Sequence, residues 1–187
     1  MTEQQRYDVV RTTPGFEVRR YPAHVVAEIE VEGSFESAGN QAFRPLVSYI
    51  SGQNDASRGI AMTAPVIQRG QDEIPAPGDV VSTTAEVAPG RYVVSFVMPG
   101  DATIEELPTP RDARVALRAV PEQVAAAARF SGRWSSSTYR LQVTRLLRSL
   151  EDAGLEVTGS PRFARFDPPW MPWFRRRNEV VVPLRSI

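Results

Sequence analysis

The sequence predicts an α+β domain in which two helices flank a curved sheet that is mixed or mostly antiparallel. Three observations favour this class: several runs of β-branched and aromatic residues, two amphipathic helical stripes, and the same order of strands and helix in both halves of the chain. We place approximate duplicated strand-helix-strand-strand halves at residues 7–98 and 113–185. A length of 187 residues suits one core, so we assign residues 1–187 to a single domain.

Four strands are predicted in the first half, at residues 16–21, 23–31, 60–67 and 91–98. Alternation along the second run gives it one apolar face. We expect its other face, which carries His24, Glu28 and Glu30, to meet water. Pro65 indicates that the third run is an edge strand or contains a bulge. Residues 70–90 are rich in proline and glycine, and they predict a polar loop.

A helix is predicted between the second and third of these strands. Its apolar stripe contains Ala38, Ala42, Phe43, Leu46, Val47 and Ile50. Ser34 is the candidate N-cap and Gly52 the candidate residue after the C-cap. Pro45 predicts a kink or a boundary, because proline inside a helix removes a hydrogen bond.

The second half follows the same order. Strands are predicted at residues 113–120, 124–130, 155–166 and 179–184, and a helix at about 137–153. The helix has an apolar stripe of its own, and Gly154 is a natural residue to follow its end.

Composition excludes several kinds of chemistry. All 22 basic residues are arginine, cysteine is absent, and His24 is the single histidine. Lysine Schiff bases, thiolate nucleophiles and metal sites with two imidazoles are therefore excluded within one chain. The formal net charge of +0 provides no overall field toward nucleic acid, so we predict no nucleic-acid partner. The polar start and the lack of a long apolar run predict a cytoplasmic protein without a transmembrane segment.

The segment 167–180 is the least ordinary part of the sequence. Trp170, Trp173 and Phe174 lie there in a proline-rich run beside Met171 and three consecutive arginines at 175–177. Such a loop can cover a flat apolar ligand while its cations hold peripheral carboxylates. Three other interpretations stay open: the aromatic rings pack over the end of the sheet, Trp170 and Trp173 dock on a protein partner, or the loop contacts a membrane or RNA.

Five motifs, in this order, resemble those of the SOUL haem-binding protein family. They are FEVRRY at 16–21, AF through YISGQN at 42–54, IAMTAPV at 60–66, FSG at 130–132 and RRNEV at 176–180. The resemblance covers nearly the whole chain. It implies a distorted β-barrel or curved sheet with two helices, which binds haem or a related tetrapyrrole non-covalently in an apolar groove. It also implies a carrier, buffer or sensor, and not an enzyme.

The resemblance and the apolar pattern give a set of candidate cofactor-binding residues. They are Phe43, Leu46, Val47, Ile50, Met62, Met98, Met171, Trp173 and Arg176. Some members of the family are proposed to ligate iron through a histidine just before the tyrosine of the first motif, where this chain has Arg20. His24, four residues further on, is the candidate metal ligand that remains.

The implied fold is also similar to bacterial effector-binding domains of the gyrase-inhibitory type. In those domains a buried glutamate handles a cationic or electrophilic ligand. Glu179 would take that place here, in a small-molecule binding domain or a hydrolase, and burial would raise its pKa. The alternative is that Glu179 pairs with a nearby arginine and orders the adjacent loop.

Overall fold

The computed structural model describes residues 3–70 and 90–185, which form two α-helices, one 3₁₀-helix (Trp173–Arg175) and eleven strands. The α-helices are α1 (Phe35–Ile50) and α2 (Ser136–Asp152). The strands are β1 (Glu3–Gln4), β2 (Asp8–Thr13), β3 (Phe16–Tyr21), β4 (His24–Gly33), β5 (Thr63–Ala64), β6 (Val66–Gly70), β7 (Gly90–Val97), β8 (Ala116–Val120), β9 (Gln123–Phe130), β10 (Arg162–Arg165) and β11 (Asn178–Pro183).

Nine of these strands form one antiparallel sheet in the order β2-β3-β9-β11-β10-β6-β7-β4-β8. The two short strands β1 and β5 pair separately and in parallel. The α+β class is therefore confirmed. The barrel is not: within the described ranges β2 and β8 each have a single neighbour, so the sheet is open.

The strand order is symmetric about the central pair of β10 and β6. Each half contributes a compact set of three strands, which is β4, β7 and β6 in the first half and β9, β11 and β10 in the second. Strands at the start of each repeat cross to the other half, because β3 pairs with β9 and carries β2 with it, and β8 pairs with β4. The repeated order of elements predicted from the sequence is thus a repeated topology in which the β2–β3 hairpin and β8 are exchanged.

Helix α1 begins as predicted but does not end or divide at proline. The Ser34 hydroxyl accepts a hydrogen bond from the Ser37 backbone N–H, as an N-cap does. The helix then continues through Pro45, which is buried, as far as Ile50. Packing of this face against the sheet stabilises the helix despite the hydrogen bond that Pro45 cannot make.

Three predicted strands are shorter than expected. One of them was predicted to be an edge strand or to contain a bulge, and it contributes an interior strand of the sheet, β6. Residues 60–67 form two strands on either side of Pro65, and β6 pairs with both β7 and β10. The edge interpretation is therefore wrong: proline is tolerated because it lies between strands, where no ladder N–H is needed. The runs 113–120 and 155–166 contribute only the short strands β8 and β10. Residues 71–89 of the predicted polar loop lie outside the described residues.

Both helices pack on the same face of the sheet, which we call the helix face. Helix α1 covers β4 and β7 with an apolar cluster that includes Leu46, Ala27 and Phe96, and α2 covers β9 and β11. Phe35, Tyr139 and Phe163 join the two clusters, with ring centroids 5.1–5.5 Å apart. The opposite side, which no described helix covers, is called the open face. Neither described helix combines the length and apolar character that a membrane crossing requires.

Candidate functional site

Large apolar side chains are exposed in two segments and on one helix, and we call them the apolar patch. Trp170, Trp173 and Phe174 belong to the loop between β10 and β11, and their residues are 82%, 49% and 59% exposed. Phe43 of α1 and Met62, just before β5, are each 42% exposed. Aromatic and thioether groups exposed together are typical of a surface that binds a ligand or a partner.

Strand register brings the parts of the apolar patch to one end of the sheet. β6 begins at Val66, which pairs both with Arg165 at the end of β10 and with Phe96 of β7. β11 begins opposite Arg165. The loop between β10 and β11 and the segment that precedes β5 therefore leave the sheet at the same end. The Phe43 ring lies 5.8 Å from the Phe96 ring, so α1 reaches this end as well.

Trp134 connects the aromatic loop to α1. The guanidinium groups of Arg176 and Arg165 lie 4.3 and 4.9 Å from the centre of its ring, within the range of cation–π contact. Its indole N–H donates to Asn178 at 2.8 Å. On the other side, α1 is in close contact with Arg165, because a Cβ at Gly39 would meet the Arg165 guanidinium. Burial in this stack lowers the pKa of Arg165 to about 10.

The residues predicted to contact a tetrapyrrole divide into two groups. Leu46, Ile50 and Met98 belong to the core between α1 and the sheet. The other six have exposed or half-buried side chains: Phe43, Val47, Met62, Met171, Trp173 and Arg176. The Arg176 guanidinium also donates to two carbonyl oxygens of its own loop, those of Met171 at 2.7 Å and Pro169 at 2.5 Å. Arg176 thus orders the loop whose aromatic side chains are exposed.

His24 lies on the other face of the sheet from the apolar patch. Its neighbours Val25 and Ala27 pack beneath α1, so alternation along β4 directs His24 to the open face. Its Nδ1 lies 2.8 Å from the Pro22 carbonyl oxygen, which requires a proton on Nδ1, and its Nε2 then accepts from the Gln5 amide at 3.0 Å. The predictions of a metal ligand at His24 and of a groove beside α1 therefore do not describe one site.

The open face contains a cavity of about 270 Å³. Its lining residues come from both halves of the chain: His24, Val26, Ile67, Arg69, Ser95, Arg118, Val120, Gln123, Ser160, Arg162 and Pro183. The expectation that this face of β4 meets water holds for Glu30, which is exposed, but His24 and Glu28 are half-buried. β8 pairs beside β4 and adds Arg118 and Val120 to the same face. Sequence reasoning missed the three arginines. The available signal was their position within, or next to, predicted strands, where a charged side chain must point away from the core.

Glu179 also lies on the open face, where two arginines donate hydrogen bonds to its carboxylate. Arg19 donates to its carboxylate at 2.7 and 3.3 Å, and Arg177 donates at 2.8 and 3.1 Å. Glu179 is 1% exposed and Arg19 4% exposed. Burial by itself lowers the pKa of Arg19, but the hydrogen bonds and charge of Glu179 raise it above its ordinary value. This arrangement corresponds to the ion-pair interpretation of Glu179, and its four donors leave the carboxylate engaged.

A family model of the SOUL haem-binding protein matches residues 2–183. The chain belongs to the SOUL family. This confirms the resemblance drawn from the five motifs, and it associates the fold with a family of proteins that bind haem. No curated protein sequence matches this SOUL protein.

Several solved structures share the fold of this SOUL protein at low sequence identity. The EcmrR C-terminal domain is 16% identical with a TM-score of 0.66, over 97% of this chain and 99% of that one. A hydrolase from Listeria innocua is 13% identical with a TM-score of 0.61, over 94% of both chains. SAV2435 bound to tetraphenylphosphonium is 9% identical with a TM-score of 0.52, over 91% of this chain and 94% of that one. At these identities the likeness extends to the fold alone.

Proposed function

We propose that this SOUL protein binds haem or a related tetrapyrrole non-covalently against the apolar patch, as a carrier, buffer or sensor and not as an enzyme. The observation that carries the proposal is the exposure of Phe43, Met62, Trp173 and Phe174 at one end of the sheet. A porphyrin is flat and apolar on both faces, and burying its faces against aromatic and thioether groups is favourable. The family match supports the same class of ligand.

Charged side chains beside the patch suit the propionate groups of a porphyrin. Arg44 and Arg175 are exposed next to Phe43 and Phe174 in the sequence, and a guanidinium can grip a carboxylate such as a propionate. His24, the single histidine, faces the other side of the sheet, so the patch offers no imidazole to iron. The proposed binding therefore depends on burial of the porphyrin faces, and iron is not required.

An absorbance titration tests this proposal. The purified protein is titrated with ferric haem, zinc protoporphyrin and metal-free protoporphyrin, and each complex is challenged with a competing haem acceptor. We expect saturable one-to-one complexes with all three. Uptake that does not saturate, or that the competitor removes at once, would contradict the binding function. A strict requirement for iron would contradict binding through the porphyrin faces.

A matched pair of variants locates the site. Trp173→Ala removes an exposed ring of the apolar patch, and we expect porphyrin affinity to fall by about tenfold or more, because a buried aromatic side chain contributes about 1.5–3 kcal/mol. Leu141→Ala removes a side chain of α2 that is similarly exposed, at 46%, and lies outside the patch. This control should keep the affinity of the unmodified protein. Equal affinities in both variants would place the porphyrin elsewhere.

A further inference from the structure

The cavity on the open face is built by both halves of the chain. Its lining residues come from β4, β6 and β7 of the first half and from β8 to β11 of the second half. It lies across the sheet from the apolar patch, because Val26, Ile67 and Ser95 alternate with residues that pack beneath α1. The cavity is therefore a different site from the one proposed for a porphyrin.

Positive charge is in excess around this cavity. Three guanidinium groups line it, those of Arg69, Arg118 and Arg162, and no carboxylate is among the lining residues within the described ranges. Glu28, the nearest carboxylate that pairs with them, accepts two hydrogen bonds from Arg118 at 2.8 and 2.9 Å and lies 3.9 Å from Arg69. Among the described residues, one carboxylate therefore balances three cations. Within the described part of the chain, no carboxylate forms an ion pair with Arg162.

Two residues that line the cavity each have a buried hydrogen-bond donor without an acceptor among the described residues. The Nη1 atom of Arg162 donates to the Gln123 side-chain oxygen at 3.2 Å, but Nη2 of Arg162 and Nε2 of Gln123 have no partner there. A buried donor without an acceptor is costly, and the cost is larger for a charged group. Burial and the charges of Arg69 and Arg118 lower the pKa of Arg162, yet arginine stays protonated in proteins. An acceptor with negative charge would satisfy both donors at once.

The remaining walls of the cavity are largely apolar. Val26, Ile67, Val120 and Pro183 contribute aliphatic surface. A volume of about 270 Å³ is at the lower limit for small-molecule pockets and corresponds to about nine water molecules at ~30 Å³ each. We propose that the cavity binds a small carboxylic acid with an apolar body of about one ring, whose carboxylate accepts hydrogen bonds from Arg162 and Gln123.

Calorimetric titration of the full chain tests the chemical class, with benzoate as the probe. We expect saturable one-to-one binding of benzoate. Benzylamine has the same ring with the opposite charge and should not bind, because it would face three guanidinium groups. Inorganic phosphate lacks the apolar body and should bind at least about tenfold more weakly. Failure of benzoate to saturate, equal binding of benzylamine, or tighter binding of phosphate would each overturn the proposal.

Charge-removing variants test the residues. Arg162→Gln should weaken benzoate binding by about tenfold or more, since it removes a hydrogen bond to a charged group. Because Arg162 is buried, Arg69→Gln provides a second test in a half-exposed side chain, with a loss of about threefold or more. Arg20→Gln removes an exposed arginine from the helix side of β3 and should leave the affinity unchanged. Unchanged affinity in both cavity variants would overturn the assignment.

A spectroscopic readout separates this site from the porphyrin site. His24 lines the cavity and is the single histidine, so its ring Cε1–H gives one resonance in a proton NMR spectrum. Benzoate should shift that resonance, whereas zinc protoporphyrin should not. A shift with the porphyrin and none with benzoate would overturn the separation of the two sites. Failure of porphyrin binding alone would leave the carboxylate site standing.

Discussion

The two faces of the sheet are made by the same strands but are held together by different interactions. On β4, Ala27 and Ile29 pack beneath α1 on the helix face, while His24 and Glu28 point to the open face. The helix face is stabilised by apolar burial beneath the two helices. The open face has smaller apolar clusters, and ion pairs connect strands of the two halves there. Alternate residues of β4 therefore pack in the core on one face of the sheet and border a polar cavity on the other.

The exchanged strands explain this difference. β3 crosses into the second half and brings Arg19 to Glu179 of β11, and β8 crosses into the first half and brings Arg118 to Glu28 of β4. Each crossing strand thus delivers one arginine to a carboxylate of the other repeat. The pairs differ in burial: Glu179 is 1% exposed, whereas the Glu28 side chain is 14% exposed and its arginine partner is 44% exposed. The first pair is structural, and the second borders an open cavity.

Removing Glu179 should produce the largest loss of stability. Glu179→Ala leaves Arg19 buried without its principal partner, and breaking a buried ion pair in this way costs about 3–5 kcal/mol of the free energy of unfolding. Denaturant unfolding measures the change. Glu156→Ala is the control, because it breaks the exposed pair with Arg185 and should cost no more than about 1 kcal/mol. Similar losses in the two variants would show that the buried network does not stabilise the open face.

Two neighbouring positions of α1 should separate packing from ligand contact. Leu46 is fully buried, so Leu46→Ala should lower the free energy of unfolding by about 2–5 kcal/mol. Phe43 is exposed and contacts only the edge of the core through Phe96, so Phe43→Ala should cost about 1 kcal/mol or less. Unfolding curves measure both changes.

The two α1 variants also differ in the expected ligand effect. Phe43→Ala should weaken porphyrin binding at temperatures where the variant is fully folded, and Leu46→Ala should not. Both variants are titrated with zinc protoporphyrin under the same conditions. Loss of affinity in Leu46→Ala alone, with unfolding excluded, would mean that the ligand enters the core and does not bind on the apolar patch.

The helix face could be predicted largely from the sequence. Apolar residues at helical spacing identified α1 and α2, and Ser34 identified the start of α1. These signals are local: each depends on residues within one turn or one pleat of each other. The same local rule failed at Pro45 and Pro65, where contacts with other elements determine whether a helix or strand continues.

The open face could not be predicted because its geometry depends on distant strand pairing. Arg118 reaches Glu28, 90 residues away in the sequence, only because β8 pairs with β4 and not with a strand of its own repeat. Strand alternation indicates that Arg118 and Arg162 point away from the core, but it does not indicate which strands stand beside them. Glu28 is expected from alternation to meet water, whereas strand register pairs it with Arg118 beside the cavity.

The smallest expected effect is the pH dependence of stability that His24 causes. It tests how the surroundings of the open face act on the protonated imidazole. Burial lowers the pKa of His24 below its ordinary 6.5, and the charges of Arg162 and Arg118 lower it further against the opposing hydrogen bond to Pro22. The unfolded chain therefore binds a proton at a higher pH than the folded chain does. The free energy of unfolding should decrease as pH falls below about 6.5, with the full loss reached below the folded pKa.

Proton NMR of the His24 ring measures this pKa directly, and unfolding curves between pH 5 and 7.5 measure the linked stability. His24→Gln should remove this pH dependence while leaving the part that carboxylates cause at lower pH. The lowered pKa values of Glu28 and Glu36 act below their ordinary value of 4.5, outside this window. A His24 pKa at or above 6.5 would show that burial and the neighbouring arginines together do not disfavour the protonated imidazole on the open face.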